Sequence, residues 1–255
     1  MIKQNMIEKD DITYYDGSDN ILIVVQNDGD NKYHYLPRRK NSKREHNTKR
    51  IGEYLFNRMN DHNLSPSLLI VDMNPIHICT DGSSDELMRY ATSKVFNTYS
   101  YFYDLINRFS HKHKDGIILD IHKYRSSSYR SLIQIGTLCG LTFDKNKILS
   151  NYFFENSRNE LFMGGYLLQY IYQNHRSMNA VQLSYPIQNY EDNFSEDMYR
   201  NASDLIIESF VDTKWELRIP LPPSPRNKDM SNKKYLVKSL VFMIIFLFIY
   251  FIENL

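Results

Sequence analysis

Asp120 and His122 stand two residues apart in GIILDIHKYR, behind an apolar run that reads as a strand. Side chains alternate along a strand, so the carboxylate and the imidazole leave the same face of the sheet at its carboxyl end. Many hydrolases deliver a metal ligand or a general base this way. Two roles are open to His122: a ligand whose shell is rebuilt by Asp28, Glu45 or His34, or a sheet-end histidine hydrogen-bonded to a neighbouring carboxylate or to backbone. Asp120 is either the partner that orients His122 or a strand-end charge.

Other residues of reactive type carry less. His111 and His113 in SHKHKDG have the spacing of a metal pair, but they follow a long helix in a charged turn, which predicts a solvated loop. Ser126, Ser127 and Ser128 lack the Gly-x-Ser-x-Gly elbow of a serine hydrolase. Gly164-Gly165 opens a helix either to receive a phosphate or, more simply, to make a tight turn with close packing. Cys79 and Cys139 are the only cysteines, which excludes a cysteine metal cluster, leaves one disulfide open without support, and points to a reducing compartment.

The elements that position these residues alternate. Apolar runs at 20–26, 65–74, 116–122 and 179–186 read as buried strands, and SYRSLIQIG (128–136) leads through a short element into a further one. Helical spacing marks 47–62, where Ile51, Tyr54, Leu55, Phe56 and Met59 share a face, then 83–109 and 162–175. Strands alternating with helices predict an α/β domain with a mixed, largely parallel sheet flanked by helices. Function in such sheets sits at the carboxyl ends of strands. The aromatic residues of the second helix (Tyr99, Tyr101, Phe102, Tyr103) and Trp215 are expected in the core and its rim.

The chain has 255 residues and is 42% hydrophobic, enough for a substantial core. Its 31 Lys and Arg balance 30 Asp and Glu, so no global field attracts a polyanion. The basic stretch at 38–50 has no interleaved aromatics and predicts a solvated loop, so no nucleic-acid partner is expected. The first residues have no apolar run of the secretory type. Residues 235–252, YLVKSLVFMIIFLFIYFI, are unbroken in apolar character from Leu240 and reach the length of about 17–25 residues that spans a bilayer. A Pro-rich charged linker at 219–234 separates them from a domain at 1–218. Arg226, Lys228, Lys233, Lys234 and Lys238 precede or enter the segment, which predicts a single-pass tail anchor with the domain on the cytosolic side. There the triplets at Asn193 and Asn201 would not meet the glycosylation enzyme.

Five stretches, in order, resemble the N-formylglutamate amidohydrolase family, whose fold is similar to that of the zinc carboxypeptidases. LLIVDMN (68–74) is similar to the family's strand ending in Asp-hydrophobic-Asn-Arg, and LDIH (119–122) to its Asp-hydrophobic-His. IGTLCG (135–140), FMGGY (162–166) and AVQLSYP (180–186) resemble its Ile-Gly-Thr, Gly-Gly-Tyr and Gln-Leu-Glu segments. The resemblance implies a zinc-dependent amidohydrolase, in which the metal polarises an amide carbonyl and activates a water.

The departures fall on the chemistry. Where the family has Pro-His-x-Gly with a ligand histidine, this chain has Gln26-Asn27-Asp28-Gly29, and an asparagine oxygen is a poor zinc ligand. Glu45 takes the place of the family's acidic ligand, and His122 is retained. The metal set implied is therefore His122, Glu45 and a degenerate Asn27, so zinc is expected to bind weakly if at all. Ser184 stands where the resemblance puts the glutamate base, and a hydroxyl forgoes a contribution of roughly 10²- to 10⁴-fold. Pro75 replaces the arginine that could clamp a carboxylate, leaving Asn74 and Gln182 as substrate-binding positions. Two functions follow: a membrane-tethered pseudoenzyme acting as a binding or scaffold module, or an active metal-dependent amidohydrolase or peptidase acting on an N-acyl amino acid or small amide. The sequence names neither a protein nor a small-molecule partner.

Overall fold

A computed structural model describes residues 5–26, 28–29, 47–75, 77–78, 91–125, 133–138, 141–143, 164–187 and 196–212. Their elements, in order, are β1 (Asn5–Lys9), β2 (Ile12–Asp16), β3 (Ile21–Val25), α1 (Thr48–Asp61), β4 (Ser67–Val71), α2 (Ser93–Lys112), β5 (Ile117–Arg125), β6 (Gln134–Gly136), α3 (Tyr166–Asn174), β7 (Asn179–Ile187) and α4 (Glu196–Asp212). Among the described residues the sheet has seven strands, in the order β1-β2-β4-β3-β5-β7-β6. Its four central strands, β4, β3, β5 and β7, run parallel. β1, β2 and β6 pair antiparallel at the two edges. The mixed, largely parallel α/β fold expected from the sequence is present.

The central strands are apolar on both faces because helices cover both. Ile51, Leu55, Phe56 and Met59 of α1 and Ile206, Ile207 and Phe210 of α4 pack on one face, against Ile21, Ile23, Val25, Leu119, Ile121, Val181 and Leu183. Phe102, Leu105, Ile106 and Phe109 of α2, with Leu167, Leu168 and Ile171 of α3, pack on the other, against Leu22, Val24, Leu69, Val71, Ile118 and Ala180. Odd and even residues of β3, β5 and β7 therefore face different helix layers. That alternation decides where each polar strand-end side chain points.

Four local readings are refined. α2 begins at Ser93, where Thr92 is extended and its side chain accepts from the Val95 backbone N–H at 3.4 Å; residues 83–90, expected in the same helix, lie outside the described residues. The helix then continues to Lys112, past the end expected at 109. His111 accordingly lies in the last helical turn and His113 caps it, its ring 4.8 Å from that of Phe109 and not in a solvated loop. Gly164 has φ 111, and a Cβ there would come within 2.6 Å of Leu168 Cδ2, so the double glycine serves a tight turn packed on α3.

The β1–β2 hairpin and α4 escaped the sequence reading. In the hairpin, Lys9 pairs with Ile12 and the two turn residues, Asp10 and Asp11, have φ 51 and 58. Positive φ at both positions is the two-residue turn whose twist matches that of the strands. Residues 235–252 lie outside the described residues, among which no helix is long and apolar enough to cross a membrane. Cys79, Cys139, Ser126 to Ser128 and Trp215 also lie outside them.

Candidate functional site

Asp120, His122, Gln182 and Ser184 occupy even positions of β5 and β7, on the sheet face toward α2 and α3. Asp120 is opposite Gln182, and His122 is opposite Ser184. Beyond β3, Gln26 continues the parity of Leu22 and Val24 onto the same face. The five side chains form a polar patch at the carboxyl ends of three parallel strands, the position at which α/β sheets carry function.

Asp120, fully buried, is shared. Gln26 Nε2 donates to its Oδ1 at 2.8 Å, and His122 Nε2 lies 3.0 Å from its Oδ2. Both carboxylate oxygens are thus engaged, and the ring of His122 is oriented by its strand neighbour. On β7, Gln182 Nε2 donates to Ser184 Oγ at 3.1 Å. His122, Ser184 and Gln182 are buried like Asp120. β6 adds Gln134, opposite Ser184 in the antiparallel register.

Two further carboxylates, Asp28 and Asp72, are engaged with α1. Asp28 Oδ2 accepts from the Lys49 backbone N–H at 2.9 Å, satisfying one of the open donors in the first turn of α1. Asp72 accepts from Thr13 Oγ1 at 2.7 Å and from Lys49 Nζ at 2.9 Å. Burial would lower the Lys49 pKa, but the Asp72 hydrogen bond and charge outweigh it and the net shift is upward. Gly29 lets the chain after β3 approach β4, since a Cβ there would meet the Met73 carbonyl at 2.4 Å.

The fold is similar to that of N-formylglutamate amidohydrolase. The solved enzyme from Ralstonia eutropha JMP134 aligns with a TM-score of 0.60 at 9% identity, covering 82% of this chain and 99% of that one. No family pattern and no curated protein sequence matches the chain. At such identity the likeness establishes the fold.

His122, Gln182 and Ser184 lie together on one face of the sheet, His122 opposite Ser184 and Gln182 bonded to Ser184. Asn74 is buried after β4, and its carbonyl accepts from the His77 N–H at 2.9 Å. Asn27, Glu45 and His34 lie outside the described residues. Among the described residues no three His, Cys, Asp or Glu side chains assemble into a metal shell. His122 with Asp120 behind it is a donor and its orienting partner, and by themselves these do not fit a zinc site of about three ligands.

Sequence reasoning passed over Gln26 and Gln134. Both were recoverable from strand alternation, Gln26 from Leu22 and Val24, and Gln134 from its place one residue before the core residue Ile135.

Proposed function

We propose that the domain keeps the frame of an N-formylglutamate amidohydrolase without its hydrolytic chemistry, and serves as a ligand-binding or scaffold module tethered to a membrane by residues 235–252. The observation that carries this reading is the pairing of His122 with Ser184 across β5 and β7, with Ser184 Oγ taking its hydrogen bond from Gln182. A hydroxyl does not accept a proton at neutral pH without a base of its own. The family resemblance places that base at Ser184, and Pro75 removes the guanidinium clamp as well. The apolar run from Leu240 and the basic residues before it support a single pass with the domain in the cytosol.

A second reading, an active metal-dependent amidohydrolase, is favoured by one observation. The Asp120–His122 hydrogen bond is of the kind that orients a metal-ligating histidine. Metal analysis of the detergent-solubilised chain, with a His122→Ala control and an assay on N-formylglutamate in added zinc, separates the two. Stoichiometric zinc lost in the control, together with turnover, would establish the enzyme; neither is expected. Fractionation tests the tether: the full chain should resist carbonate extraction from membranes, and a chain ending at residue 218 should be released.

A further inference from the structure

We propose that the polar row Gln26, His122, Ser184, Gln134 binds a small ligand presenting N–H donors, a primary amide, amine or guanidine, and discriminates against carboxylates. The inference rests on the reading of the domain as a binding module and names the chemistry of what it binds.

The row is a product of register. Gln134 is opposite Ser184 and Ser184 is opposite His122. One residue past the last β3–β5 pair, Val25 with Ile121, Gln26 falls level with His122. Four side chains from β6, β7, β5 and β3 thus cross one sheet face side by side, over about three interstrand spacings, or roughly 14 Å.

Each end of the row carries an acceptor that the described residues leave unused. Gln26 Oε1 and Gln134 Oε1 are both buried and have no hydrogen-bond partner. For Gln26 the amide orientation is dictated by chemistry. Its other end meets the Asp120 carboxylate, which only accepts, so Nε2 must face Asp120 and the oxygen must face away. A fully buried carbonyl without a donor is destabilising, and native proteins leave such groups mainly where a ligand or an ordered water completes them.

Charge points the same way. Asp120 is a carboxylate directly beneath the row, and among the described residues no Lys or Arg side chain bonds to Gln26, Asp120, Gln182, Ser184 or Gln134. The nearby ammonium of Lys49 is tied to Asp72 in the layer of α1. An incoming carboxylate would leave both end carbonyls unmet and add a second acid beside Asp120; an N–H donor would complete both carbonyls. Gln134 is half-buried on the outer strand while Gln26 is fully buried, so the ligand enters from the β6 edge.

Glutaramide and glutarate test this, being the same five-carbon chain with donors or without them. Titration of the detergent-solubilised full chain, followed by saturation-transfer NMR and calorimetry, should show glutaramide binding and glutarate at least about tenfold weaker. Gln134→Leu should weaken glutaramide by about tenfold while Gln134→Glu, which keeps an acceptor, retains it, with thermal melts confirming that both fold. Glutarate binding as well as glutaramide, unaltered binding in the folded Gln134→Leu variant, or no saturation by glutaramide up to about 50 mM would each overturn the proposal, the last showing that water alone completes the row. Turnover of N-formylglutamate in the same samples would instead overturn the non-hydrolytic reading and leave donor selectivity to stand or fall on the binding data.

Discussion

His122 and Ser184 are direct partners in the parallel register of β5 and β7, both buried, with Asp120 behind the imidazole and Gln182 behind the hydroxyl. The group facing the imidazole is a hydroxyl already held by an amide. The energetics of this arrangement follow from how completely its polar groups satisfy each other.

Asp120 is the hub of that network, and its removal should be costly. Asp120→Ala strips the acceptor from Gln26 Nε2 and from His122 Nε2 in a fully buried setting. Leaving buried donors unmet should lower stability by about 3 kcal/mol. Urea unfolding measures this, and a double-mutant cycle with Gln26→Leu should show coupling, because the second substitution removes one of the donors that the first abandons.

Ser184 should behave as a structural acceptor. Ser184→Ala leaves the Gln182 amide without its oxygen at 3.1 Å and should cost about 1 kcal/mol. Ser184→Glu places a second acid near Asp120 on a buried face and should destabilise by more. Equal or greater stability of the glutamate variant, with turnover of N-formylglutamate, would mean that the frame still accommodates a base.

The central strands were plain in the sequence because burial on both faces makes them continuous apolar runs, as at Ile21–Val25 and Ser67–Val71. The placing of Asp120 with His122 was equally plain, since period-two alternation fixes the face. β1 left no pattern to read: all five of its residues are exposed, so nothing selects apolar side chains on either side. α4 did carry one, in Tyr199, Ile206, Ile207 and Phe210, which share the buried face. The roles of Asp28 and Asp72 were not legible, because both depend on Lys49, a residue of α1 that the sheet brings to them only after folding.

Asp28 offers a test of that point. If its carboxylate serves the first turn of α1, Asp28→Ala should cost about 1 kcal/mol, within the range of lost helix caps, and Asp28→Asn should recover most of it. A metal ligand would behave otherwise, with the asparagine variant losing zinc. Thermal melts of the two variants with and without added zinc distinguish a cap from a ligand.

Mild acid should destabilise the end of the sheet remote from the polar patch, through His113 and His175. Burial lowers the pKa of His113, helped by the Lys112 charge, and burial lowers that of His175, helped by His111. His113 Nε2 is buried with no hydrogen-bond partner among the described residues, and His175 Nε2 is 2.7 Å from Asn107 Oδ1, which the Tyr170 hydroxyl also reaches at 2.8 Å. Both rings titrate in the folded chain below their unfolded value of about 6.5, so as pH falls the unfolded chain takes up protons first. The stability that the neutral rings contribute is complete above pH ~6.5 and is lost as pH drops through the folded values. The melting temperature should therefore fall between pH 7.5 and pH 5.5, and His113→Leu with His175→Asn should flatten that dependence. An unchanged pH profile in the double variant would show that other groups carry the acid sensitivity.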